Sequence, residues 1–107
     1  MKQEEYVQIE WLCGSLKEAR EVVTKLLGKR LIACANLIQG VESHYVWQGK
    51  LECSEEVQVL MKTHARCFDP IQKLIHEVCE YEVPPILMIP IAKANPAYLA
   101  WLSASIS

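Results

Sequence analysis

Residues Ala33 to Lys62, ACANLIQGVESHYVWQGKLECSEEVQVLMK, read as two long strands edged with aromatic residues around a turn at Gln48-Gly49. Gln39-Gly40 marks a bend or bulge within the first of them. In the second, Val57, Val59 and Met61 alternate with Gln58, Leu60 and Lys62, so one face is expected to take a layer of helices. The opposite face still carries Tyr45, Trp47 and Leu60. A ribbon of two strands is only marginally stable in water without a third strand or a packing partner, so the rest of the chain, or another chain, has to cover it.

Upstream, alternation from Tyr6 to Cys13 sets Val7, Ile9, Trp11 and Cys13 on one face of a half-buried strand that ends at Gly14. Ser15 and Glu18 have the spacing of a capping box, and Leu16, Ala19, Val22, Val23, Leu26 and Leu27 then recur at helical spacing. Gly28 is expected to close this helix as the residue that turns left-handed. Downstream, Asp69-Pro70 reads as a cap with proline at the first helical position, opening an amphipathic helix that includes Ile71, Leu74, Ile75 and Val78. Val83 to Ile91 is a short apolar strand bracketed by prolines, and Asn95-Pro96 starts a final helix bearing Tyr98, Leu99, Trp101 and Leu102. The order strand, helix, strand, strand, helix, strand, helix predicts an α+β fold: a ferredoxin-like split β-α-β sandwich with a long central hairpin and a C-terminal helix.

A chain of 107 residues makes one domain, spanning 1–107, with room for a single core. With 51% of residues apolar, 22% charged and a net charge of -2, it offers no basic field for phosphate backbones, so nucleic acid is not an expected partner. No apolar run approaches the length of a membrane span and the N-terminus has no unbroken apolar region, so no membrane association is expected and the protein reads as cytoplasmic. Five cysteines, odd in number and without C-x-x-C spacing, indicate neither a disulfide framework nor a zinc knuckle. The histidines at 44, 64 and 76 have no evident nucleophile or acid partner and no phosphate-binding glycine loop is present, so the chain is not expected to be an enzyme.

Leu31 to Glu52 (LIACANLIQGVESHYVWQGKLE), Glu56 to Thr63 (EVQVLMKT), Tyr81 to Pro84 (YEVP) followed by ILMIPI, and Asn95 to Leu102 (NPAYLAWL) resemble the CutA family of divalent-cation tolerance proteins, in the same order and over nearly the whole chain. The resemblance implies a tight homotrimer like that of PII signal-transduction proteins and a role in tolerance of copper and other divalent metals. It also implies possible binding of a metal ion, with no other cofactor required. The chain departs from the family pattern where Cys79-Glu80-Tyr81 replaces H-P-Y and Pro84-Pro85 replaces a P-E pair, which removes a histidine and a carboxylate.

Cys13 stands where the family also has a cysteine, and Cys79 is a soft donor in place of the imidazole, so Cys13, Cys79 and Glu80 are the candidate metal ligands. The bland alternative is two apolar thiols and one solvated carboxylate. Tyr45, Trp47, Lys62, Tyr81 and Trp101 match family positions that line clefts between protomers, the alternative for the aromatics being plain core packing. The function so implied is divalent-cation tolerance. The competing function is a PII-like regulatory or scaffold trimer that binds a small molecule or partner protein in its clefts.

Overall fold

Alternating side chains form β1 at Tyr6–Cys13, and in the computed structural model, which describes residues 5–107, its odd-numbered residues Val7 to Cys13 are fully buried. The remaining elements are α1 (Leu16–Gly28), β2 (Cys34–Trp47), β3 (Lys50–His64), a 3-10 turn (Ala65–Cys67), α2 (Phe68–Val78), β4 (Ile86–Pro90) and α3 (Pro96–Ser105). The four strands make one antiparallel sheet in the order β2-β3-β1-β4. That order and the element sequence are the ferredoxin-like arrangement expected from the chain.

Helices α1 and α2 cover one face of the sheet because the apolar stripes of the helices and the odd-numbered residues of β1 and β3 bury each other. Ala19, Val22 and Leu26 of α1 and Ile71, Leu74 and Ile75 of α2 join Ile9, Trp11, Val59 and Met61 in a single core. The third helix lies on the other side. Tyr6 and Cys34 point away from α1 and α2, and both reach α3: the Tyr6 hydroxyl bonds Ser103 Oγ at 2.8 Å, and Cys34 Sγ lies 3.4 Å from the Tyr98 hydroxyl.

β3 pairs with β1 only from Val57 to His64, so its residues from Lys50 to Glu56, with β2 from Val41 onward, project as a free ribbon. This projection gives the molecule its long axis of 48 Å against 26 and 22 Å. The ribbon closes through Gln48 at φ 51° and Gly49 at φ 79°, the two positive angles of a tight hairpin turn whose twist matches that of the strands. At its base the register shifts between Ile38 and Val41, with Gly40 at φ 77°, which is the expected bulge.

Local chemistry corrects the expected boundaries in several places. Gly28 ends α1 in helical conformation, and Arg30 at φ 55° takes the left-handed position instead. Arg30 N–H then bonds Leu27 O and Leu31 N–H bonds Leu26 O, satisfying the last carbonyls of the helix. The capping box is observed as one bond, with Glu18 N–H donating to Ser15 Oγ at 3.2 Å. Helix α2 begins at Phe68, so Pro70 sits within its first turn and Cys67, not Asp69, is the N-cap. β2 starts at Cys34 rather than Leu31, and β4 is confined to Ile86–Pro90 because Pro84 and Pro85 keep the preceding residues out of the ladder.

Candidate functional site

Three regions collect polar chemistry around the base and flank of the ribbon. The first is a groove of about 560 Å³ on the face away from α1 and α2, lined among others by Leu12, Tyr45, Trp47, Glu56, Tyr81 and Val83. Tyr45 and Trp47 enter it because even spacing along β2 after the bulge puts both on one side, and the Tyr45 hydroxyl is held by Ser54 Oγ at 3.2 Å. Tyr81 arrives from the loop after α2, over Gly14, where an added Cβ would sit 3.3 Å from the phenol ring and hydroxyl. Gly14 therefore does more than end β1: it leaves space for the ring. Burial, together with the facing carboxylate of Glu56, raises the Tyr81 phenol far above its ordinary range.

The groove thus brings together three of the five expected cleft residues, Tyr45, Trp47 and Tyr81. Lys62 lies half-buried in mid-strand, paired with Cys34 and Gln8, and Trp101 lies on exposed α3 with its ring 5.6 Å from that of Tyr98. Neither lines the groove. Glu56, only 6% exposed, was not singled out by the sequence, since one carboxylate in the run Glu55-Glu56 gives no sign of being turned inward. The signal present was parity: Glu56 shares the face of Gln58 and Leu60, away from Val57.

The second region holds the expected thiols. Cys13 is buried at the end of β1 with its Sγ 3.4 Å from Ser15 O, and burial raises its pKa to about 11. Cys79 follows α2, and burial, reinforced by the nearby Glu18 carboxylate, raises it to about 11 as well. Trp11 Nε1 and Glu18 Oε1 are both buried here without a hydrogen-bond partner that meets full geometry, and both lie within electrostatic reach of the Cys79 sulfur. Glu80 is exposed. Cys13, Cys79 and Glu80 are not brought together as a group of three donors within 4.8 Å, and burial favours the protonated form of both thiols.

The third region is one the sequence did not point to. On the opposite face of the ribbon from Tyr45 and Trp47, Glu42, His44 and Cys53 place a carboxylate oxygen, an imidazole nitrogen and a sulfur within 4.8 Å of one another, the one such group of three among the described residues, and His44 also borders the groove. His44 pairs with Cys53 across the strands, and Glu42 lies two residues along β2 on the same face.

An elongated ferredoxin-like α+β chain with a free hairpin and an aromatic groove at its base defines the class of protein. The family model described as CutA1 divalent ion tolerance protein matches residues 7–105, and the chain belongs to that family. A divalent-cation tolerance protein CutA from Escherichia coli is 36% identical over 97 residues, which is 89% of this chain and 87% of that one. Protein CutA of Mus musculus is 36% identical over 90 residues, covering 84% of this chain, which spans about half (51%) of the mouse protein's length. Among solved structures, CutA1 from Oryza sativa superposes with a TM-score of 0.92 at 26% identity, covering 96% of this chain and 94% of that one. The CutA of Archaeoglobus fulgidus, described as a periplasmic divalent cation tolerance protein, gives a TM-score of 0.92 at 28% identity, covering 95% and 99%.

Proposed function

We propose that the protein acts in tolerance of divalent cations as a closed threefold assembly that binds ligands rather than transforming them. The observation that carries this reading is the ribbon: Leu51 is 89% and Val46 64% exposed, and Tyr45 and Trp47 are also open to solvent. Apolar area of this kind on a projecting two-stranded hairpin calls for cover, and a symmetric ring of copies supplies it without leaving a free strand edge. The edge strand β4 adds exposed Leu87, Met88 and Ile89. In such an assembly the groove at Tyr45, Trp47 and Tyr81 is walled by a neighbour and becomes an intersubunit cleft. No helix among the described residues is long and apolar enough to cross a membrane, and all five cysteines are free, which favours a reducing compartment such as the cytoplasm.

The groove itself favours a second reading, a PII-like regulatory trimer whose clefts take a small organic ligand. Its lining is mostly apolar and aromatic with one inward carboxylate, Glu56, the pattern of a small-molecule site. Sedimentation at micromolar protein tests the assembly, and a stable monomer would overturn it. A thermal-shift series with Zn2+, Cu2+ and Cu+ beside a metabolite panel separates the two ligand classes, because only a ligand of the folded state raises Tm with concentration.

A further inference from the structure

The face of the ribbon opposite Tyr45 and Trp47 carries four polar residues in a two-by-two array, one of which, His44, also borders the groove. His44 is directly opposite Cys53, and Glu42 is directly opposite Glu55. All four are exposed, on a stretch beyond the reach of β1. His44 Nε2 lies 2.6 Å from Glu42 Oε2 and 3.8 Å from Cys53 Sγ. Carboxylate and thiol therefore converge on the same ring nitrogen. That geometry is wrong for a nucleophile relay, in which the base uses one nitrogen for the thiol and the other for the carboxylate. It is right for donors that share a cation. Two carboxylates directly opposed across a strand pair repel each other, and no lysine or arginine of the ribbon lies on this face, because Lys50 pairs with Trp47 on the other one.

We propose that Glu42, His44 and Cys53 form a surface site for a zinc-class divalent cation, with Glu55, directly opposite Glu42, adding negative charge beside it. Nitrogen and sulfur ligands around tetrahedral Zn2+ at about 2.0 and 2.3 Å stand about 3.5 Å apart, close to the 3.8 Å separation of His44 and Cys53. The Glu42–His44 contact, a hydrogen bond at 2.6 Å, widens to about 3.3 Å as the ion replaces the shared proton, which leaves to solvent while the ring keeps or takes up one proton on Nδ1. On binding, the Cys53 thiol transfers its proton to solvent and its sulfur lone pair to the metal, the imidazole of His44 binds neutral through Nε2, and no electron changes hands. A donor set of one thiolate, one imidazole and carboxylate suits Zn2+ rather than Mg2+ or Ca2+. The site's physiological use rests on the cation-tolerance reading, whereas its existence does not.

Titration of reduced, metal-free protein with Zn2+ against a chromophoric chelator, with Co2+ as the optical probe, tests the site in wild type, Cys53→Ser, His44→Ala, Glu55→Gln and a Cys13→Ser/Cys79→Ser double variant. The expected result is one ion per chain, thiolate-to-cobalt charge-transfer absorption in wild type and in the double variant, and loss of that band in Cys53→Ser. Affinity should fall on the order of 100-fold for Cys53→Ser and His44→Ala and less for Glu55→Gln. These side chains are exposed on the protomer, so the variants should keep the wild-type circular dichroism, and sedimentation of each controls for the adjoining Val46–Leu51 pair that assembly would cover. Wild-type affinity in Cys53→Ser, or loss of binding only in the double variant, overturns the hairpin site while leaving a cation-binding protein. Absence of tight binding in wild type overturns the site and counts against direct metal binding altogether.

Discussion

At the residue scale, burial decides which thiols are chemically available. Cys13 and Cys79 are both raised from 9.0 to about 11, so the folded state favours their protonated forms more than the unfolded chain does. Their contribution to stability is complete below about pH 9 and is lost as pH rises through about 11. Urea midpoints measured from neutral to alkaline pH should be level and then drop in that window, and the drop should shrink in Cys13→Ala. Alkylation followed by mass mapping should label exposed Cys53 first and buried Cys13 last. Arg30 supplies a second test. Its left-handed backbone is strained for a residue with a Cβ, yet its side chain donates to Ala104 O at 2.8 Å and Ser105 O at 3.3 Å, tying α1 to the end of α3. Arg30→Ala keeps the strain and loses the bonds, so a cost of about 1 kcal/mol is expected. Arg30→Gly also loses them but relieves about 1 kcal/mol of strain and should be nearly neutral. Equal midpoints for the two variants would show that the backbone of Arg30 carries no strain, and a wild-type midpoint for Arg30→Ala would show that the anchoring bonds contribute nothing.

At the element scale, the hairpin is held by its turn and its bulge more than by burial. Gln48 at φ 51° occupies a position for which asparagine is the better residue, so Gln48→Asn should stabilise by a few tenths of a kcal/mol. Gly49→Val places a β-branched side chain at φ 79° and should cost more than about 1 kcal/mol, read as a lower urea midpoint and faster hydrogen exchange from Val41 to Glu56. The sequence exposed both the turn and the bulge, because glycine is the residue a positive φ most readily accepts. It pointed wrongly to Gly28 for the same reason: Gly28 is free to turn left-handed, but the hydrogen bonds of the helix end are completed two residues later, where Arg30 gains its contacts to α3.

At the scale of the whole molecule, exposed apolar area on the ribbon and on β4 is the property that most needs a partner. If neighbouring copies cover Trp47, then Trp47→Asp should shift the protein to monomer in sedimentation and lower Tm, while Lys73→Asp on the outer surface of α2 should do neither. A wild-type sedimentation profile for Trp47→Asp would remove the ribbon from the interface. The groove and the donor cluster share His44 at their border, so the two ligand hypotheses are separated by mutation at Tyr81 and Cys53, each of which belongs to only one of them. Changes at Tyr81 should leave zinc affinity intact, and changes at Cys53 should leave the groove intact.

Hydrophobic periodicity by itself determined the four strands, the three helices and which face of β1 and β3 is buried, because periods of two and 3.6 residues are local properties of the backbone. Motif order by itself pointed to the family. Only the tertiary structure decided the chemistry. The long-range pairing of His44 with Cys53, the inward turn of Glu56, and the burial that withdraws Cys13 and Cys79 all depend on strand register and helix cover. Register is fixed by the bulge at Gly40 and the turn at Gly49 acting together, and a slip of one residue would send Glu42 and His44 to the face opposite Cys53.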